Sequence, residues 1–254
     1  MLLVADVGNT NTKIGIFDKE ELKFKLVFAT DQSKTSDEIA VELYTFFQIY
    51  NIDANKIDSS IISSVVPKVT RPLKTAVKTV TGTRSLVVGP GIKTGLDIKI
   101  DHPETLGADI VAGSVASCKK YGCPNITIFM GTATAVVFND ENGAYCGGAI
   151  MPGVSISLDA LTAHGALLSS VDLIAPKKTI CTNTADCIRS GVVLGNAFML
   201  DGIIDSFFEE TGKECAVIST GGLSSQIIKN CKHKIINDEN LILDGLRFIS
   251  ELNS

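Results

Sequence analysis

Two short segments carry the residue types that hold polyphosphate. One is DVGNTNTK, Asp6–Lys13, and the other is GTAT, Gly131–Thr134. In the first, Gly8, Asn9, Thr10, Asn11 and Thr12 follow Asp6 and Val7 and put backbone N–H groups and small polar side chains into one turn. Such a turn can form an anion-binding nest without a helix dipole. Lys13 lies just beyond it and can reach a phosphate oxygen. Asp6 stands two residues before the glycine and suits magnesium, which takes one or two carboxylates together with phosphate oxygens and water. The same residues would also make an ordinary Asx-rich turn that satisfies its own backbone. The second loop, with Gly131 and Thr132, tips the reading toward a nucleotide held by two phosphate hairpins.

Other residues have chemistry open to them. Asp109 follows Gly107 and Ala108 at an apolar helical start. A carboxylate in such tight, apolar surroundings is costly to bury, and it could take the proton from a substrate hydroxyl. It could equally be a first-turn carboxylate favoured by the helix dipole. Glu104 reads as the cap of that helix. Gly221 and Gly222 sit between a strand and a helix, where backbone can approach a flat ligand or simply turn. His102, His164 and His233 are isolated, and none has a Ser or Cys partner in a triad pattern.

The elements that must position these residues follow from periodicity. Leu2–Val7, Lys13–Phe17 and Lys23–Ala29 read as a three-stranded meander. Thr35–Tyr50 has helical apolar spacing, with Thr35 or Ser36 as cap and Glu38 in the first turn. Ser59–Val66 is a strand, Pro67 opens a helix to about Val80, Ser85–Val88 is a short strand, and Leu106–Tyr121 is helical. The opening plan then recurs. Asn125–Met130, GTAT and Ala135–Phe138 repeat the strand–turn–strand of VADVGNTNTKIGIF about half a chain later. Ala144–Ile150 returns, a helix follows Pro152–Gly153, Thr184–Glu210 is a long helix, Ala216–Ser219 is a strand, and Asn240–Leu252 is the last helix. A duplicated hairpin at this spacing predicts two similar domains facing each other across a cleft. The expected fold class is α/β with two ribonuclease H-like domains, residues 1–115 and 116–254.

The bulk composition narrows the function classes. The chain has 254 residues, 45% hydrophobic and 20% charged, with a net charge of −5. That balance supports a buried core, and with no Lys/Arg run it argues against nucleic acid as a partner. The N-terminus has no basic start before its short apolar run, so a signal peptide is not expected. No uninterrupted apolar run reaches a membrane span of about 20 residues. A cytoplasmic protein with no membrane partner is the expectation. The seven Cys have no C-x-x-C spacing, which points to free buried thiols rather than zinc.

The residues resemble type III pantothenate kinases, within the superfamily of acetate and sugar kinases, Hsp70 and actin. The likeness runs nearly end to end through DVGNTNTK, SSVVP (Ser63–Pro67), GAD (Gly107–Asp109), GTAT, GGAIMPG (Gly147–Gly153), Asn183–Thr184, Ser190–Gly191 and TGG (Thr220–Gly222). The resemblance implies a homodimer that transfers the γ-phosphate of ATP to pantothenate, the first step toward coenzyme A. It implies that Asp6–Lys13 holds ATP phosphates and magnesium, that Thr132 contacts the phosphates, and that Asp109 is the proton acceptor. Gly107, Ala108, Ile110 and Thr184 would line the acceptor pocket, and Gly221 and Gly222 the nucleotide site. Several positions depart from the family pattern. Ile110 replaces an Arg after GAD. Phe129 replaces an Asp that would help bind potassium or ammonium, so that cation is expected to be lost. Ala135, Ile100 and Gly165 replace a Thr, a Tyr and a Thr. These changes leave two further readings beside an active pantothenate kinase: a kinase for another hydroxyl acceptor, and a non-catalytic nucleotide-binding homologue.

Overall fold

In a computed structural model, residues 1–165, 168 and 170–254 are described. The chain divides into two compact units. One comprises Met1–Leu96, His102–Ala116 and Leu241–Ser254, the other Asp97–Asp101 and Ser117–Asn240.

The first unit opens with β1 (Leu2–Val7), β2 (Asn11–Asp18) and β3 (Glu21–Ala29). These are followed by α1 (Ser36–Ile49), β4 (Ser59–Ser64), α2 (Pro67–Thr81) and β5 (Leu86–Val87). Their sheet has the order β3-β2-β1-β4-β5. β1 is antiparallel to β2 and parallel to β4. β1 sits centrally and its apolar run is almost wholly buried, as a strand covered on both faces must be. β3 lies at the edge and alternates exposed and half-buried residues. The expected cap of α1 is present as a capping box: Glu38 N donates to Thr35 Oγ1, and Thr35 N donates to Glu38 Oε2. Pro67 occupies the first turn of α2, where its missing N–H costs nothing. Leu43 and Phe47 of α1 and Leu73 and Val77 of α2 pack with Ala5 and Ile62 in one core.

α3 (Ala108–Tyr121) starts in the first unit and ends in the second. The second unit continues with β6 (Asn125–Met130), β7 (Ala133–Asn139), β8 (Tyr145–Pro152), α4 (Val154–His164) and α5 (Thr184–Arg189). A π-helical turn at Ser190–Leu194 joins α5 to α6 (Gly195–Thr211). Then come β9 (Ala216–Thr220), α7 (Ser224–Ile228) and β10 (Ile235–Asn237). The sheet order is β10-β9-β6-β7-β8. Read from β8, it matches the first sheet strand for strand: two antiparallel pairs, then two parallel ones. The repeat expected from the two glycine turns is therefore a repeat of whole sheets. The run Thr184–Thr211 is long and apolar enough to cross a membrane, with mean hydropathy 1.4, but half of that window is buried inside the protein.

α8 (Leu241–Glu251) corrects the expected division at residue 115. It follows the second unit in sequence yet packs on β1, β2 and β4 of the first. Its apolar face, including Leu243, Leu246 and Ile249, is buried, and that face covers the side of the sheet opposite α1 and α2. The thiols also differ from expectation: all seven are free, but none is fully buried, and Cys146 and Cys187 are exposed.

Candidate functional site

The chemistry of the first unit is arranged as a row across its sheet. Asp6 on β1 is the register partner of Lys13 on β2 and of Ser63 on β4. Register partners project from the same face of a sheet, so Lys13, Asp6 and Ser63 stand side by side. Asp6 is 7% exposed and Ser63 fully buried. Asp109, in the first turn of α3, belongs to the same unit. Burial, and next the charge of Asp109, push the Asp6 carboxyl up to about 7, while Lys13 and the Ser63 hydroxyl favour its charged form. Asp109 is raised as well, chiefly by burial, against the Ile110 N–H and Lys13. Lys13 acts on both carboxyls and favours their charged forms.

The local geometry explains why this sequence makes the pair. Gly8 N donates to Asn11 O at 3.0 Å and closes the first hairpin. Asn9, Thr10 and Asn11 are exposed at its tip. Val7 is buried, and its carbonyl accepts from Val65 N. Thr12 departs from its expected place at the phosphates: it is 1% exposed and shares a 2.9 Å hydrogen bond with Thr30 Oγ1, which also donates to Gly8 O. Its period-2 position on β2 turns it inward, so it braces the hairpin.

Asp109 Oδ1 accepts from Ile110 N at 2.9 Å. A Cβ on Gly107 would lie 2.5 Å from that same oxygen, so the glycine leaves room for the carboxylate. The expected cap, Glu104, lies in a separate short turn, Pro103–Thr105, exposed and 3.3 Å from His102 Nδ1. Helix α3 begins two residues later than the apolar pattern suggests because Leu106 is extended.

In the second unit the turn at Gly131 and Thr132 is exposed. Gly153 N donates to Thr132 O at 3.1 Å. Gly221, at φ 120°, lies so close to β6 that a Cβ there would come within 2.1 Å of Met130 O. The sequence signals at 131–132 and 221–222 thus belong to adjacent strand ends, and only glycine permits that approach. Across this sheet the row equivalent to Lys13–Asp6–Ser63 is Ala135–Phe129–Thr220. Phe129 is buried and the Thr220 hydroxyl has no hydrogen-bond partner. This row holds no charged side chain. Thr184 is the exposed first residue of α5, after the Asn183 cap. Ile100 lies in Asp97–Asp101 of this unit, near Gly147.

Two sheets of this order, each with a glycine hairpin at the same strand ends, define the actin-like ATPase and sugar-kinase fold. Solved structures agree. A Campylobacter jejuni protein named for the Baf family of transcriptional activators superposes with TM-score 0.64 at 17% identity, covering 99% of this chain and 98% of that one. The 2-hydroxyisocaproyl-CoA dehydratase activator of Clostridium difficile, solved with ADPNP, gives 0.57 at 12% identity, covering 99% and 95%. The family model of type III pantothenate kinase matches residues 2–206. Type III pantothenate kinases from Exiguobacterium sibiricum and Listeria welshimeri are 40% and 38% identical over 253 residues, covering all of this chain and 100% and 98% of theirs. The chain belongs to the type III pantothenate kinase family.

Proposed function

We propose that this protein transfers the γ-phosphate of ATP to pantothenate, giving 4'-phosphopantothenate. The observation that carries the reading is the buried Asp6 with Lys13 and Asp109 acting on its charge beside the first glycine hairpin, in a chain of this family.

Two carboxyls whose pKa values are raised chiefly by burial form a hard oxygen donor set, and that fits magnesium. Asp6 would hold the ion, which supplies charge neutralisation on the phosphates when bound. Asn9, Thr10 and Asn11 offer N–H and side-chain donors to the phosphates, Gly8 makes the turn that presents them, and Lys13 adds a fixed positive charge. Gly131, Thr132, Gly221 and Gly222 are the nucleotide loops of the second unit. Asp109 accepts the proton of the attacking hydroxyl. Burial raises its pKa and so its basicity, against the Ile110 N–H that its carboxylate accepts. Gly107, Ala108 and Ile110, beside Asp109 in the first unit, are the acceptor residues. Phosphoryl transfer depends on positioning and charge neutralisation more than on covalent help. With isoleucine at position 110, Lys13 is the cation left to stabilise the transferred group.

Potassium or ammonium is not expected to be required, because Phe129 offers no oxygen. A cytoplasmic homodimer is the expected form, supported by exposed Ile150, Ile156 and Leu161 on β8 and α4. The test is ADP release with pantothenate and magnesium ATP, with and without potassium. Turnover that is equal in both salts is expected, and none above background in either would overturn the proposal.

A further inference from the structure

β4 carries four serines in six residues, and three have hydrogen bonds that account for them. Ser59 Oγ donates to Asp58. Ser60 Oγ bonds Thr83 and Ser85 at 3.0 and 2.9 Å. Ser64 Oγ accepts from Val66 N and from Thr70. Ser63 is different. It is wholly buried, and its Oγ has no partner of full hydrogen-bond geometry. A buried hydroxyl without a partner weakens a fold relative to alanine, so the fold itself makes no use of this one. The neighbour it has is Asp6, its register partner on β1, close enough that the hydroxyl favours the charged carboxylate.

We propose that Ser63 is a positioning residue of the kinase site: it donates its hydroxyl to one carboxylate oxygen of Asp6 and so leaves the other oxygen aimed at the nucleotide's divalent cation. Lys13 flanks Asp6 from the opposite strand, so the carboxylate is fixed from both sides of the row. A carboxylate locked in one rotamer loses less entropy on taking up the ion than a free one. The inference rests on the reading of Asp6 as the magnesium residue, and it adds what orients that residue.

The test compares Ser63→Ala with Ser60→Ala. Three quantities are read: thermal stability without nucleotide, ADP affinity by calorimetry with and without magnesium, and the magnesium concentration giving half-maximal turnover. Ser63→Ala should melt at or above the wild-type temperature. Its ADP affinity should fall about ten- to a hundredfold with magnesium and stay level without it, the range expected for a hydrogen bond to a charged group. The half-maximal magnesium concentration should rise by a like factor, with the KM for pantothenate unchanged. Ser60→Ala should melt lower, having lost two bonds, with unaltered magnesium dependence. Adding Ser63→Ala to Asp6→Asn should cause no further loss of magnesium-dependent ADP affinity.

If Ser63→Ala binds magnesium ADP like the wild type, the positioning role is refuted while the kinase reading stands. Lower stability of Ser63→Ala with normal magnesium dependence would make it a packing residue and also refute the proposal. Wild-type protein that does not bind ADP more tightly with magnesium would overturn both.

Discussion

Replacing Asp6 with Asn should stabilise the nucleotide-free protein, and increasingly so as pH rises. The Asp6 carboxyl is raised from 3.8 to about 7, first by burial and then by Asp109. In the unfolded chain it ionises at the ordinary value. Between those two values the folded state therefore binds more protons than the unfolded one, and stability falls as pH rises through that window. Each pH unit inside it costs about 1.4 kcal/mol. From pH 5 to pH 8 the wild type should lose roughly 2–3 kcal/mol through this group. Asn has the same shape and no such loss. The margin of Asp6→Asn over wild type should thus widen across that range, by roughly 5–10 °C in melting temperature for a chain of this size. The assay is thermal unfolding followed by circular dichroism, with a chelator present, at several pH values. A constant cost of the Asn substitution drops out, since only the change in margin is read. Parallel melting curves across the range would refute the claim that Asp6 is held neutral by burial and by Asp109. On the role proposed for Asp6, the same variant should also have lost magnesium-dependent turnover.

Further outcomes follow from the same geometry. Gly107→Ala puts a Cβ 2.5 Å from Asp109 Oδ1; the carboxylate must move while the backbone stays, so kcat should drop about tenfold or more with little change in melting temperature, as steady-state kinetics and melting would show. Thr35→Ala removes the side chain of the capping box on α1 and should cost about 1 kcal/mol in urea unfolding. Joining Ile110→Arg to Phe129→Asp should raise pantothenate phosphorylation and make it respond to potassium; a folded double variant with an unchanged rate would show that the pocket has diverged beyond those two positions.

What could be read from the sequence follows from the range of the forces involved. The hairpins at Gly8 and Gly131 are local, because turn residues between β-rich runs specify them within a dozen positions. The capping box of α1 is local as well. Other features are set by tertiary contact and left weaker marks. α7 and β10 are too short to show a period. The amphipathic pattern of α8 was plain, but nothing in it says which sheet it covers, so its place in the first unit emerged only with the packing. Thr12 looked like a phosphate ligand by its company in the motif, yet strand alternation turns it toward Thr30. Ser63 was visible as part of SSVVP without a role, since its role depends on a β1–β4 pairing across more than fifty residues.

The same pairing explains why a duplicated fold does asymmetric chemistry. Two sheets of identical order set three side chains abreast at equivalent strand ends. In one the row is Lys13, Asp6 and Ser63; in the other it is Ala135, Phe129 and Thr220. Both sheets end in an exposed glycine turn, but only the first row carries charge beside its turn. The charged form of the buried Asp6 is favoured there by Lys13 and the Ser63 hydroxyl, against burial and the charge of Asp109. Phe129 needs no such support. Charge restored at position 129 alone would face Ala135 and a lone hydroxyl, and would have to take its compensation from a bound cation.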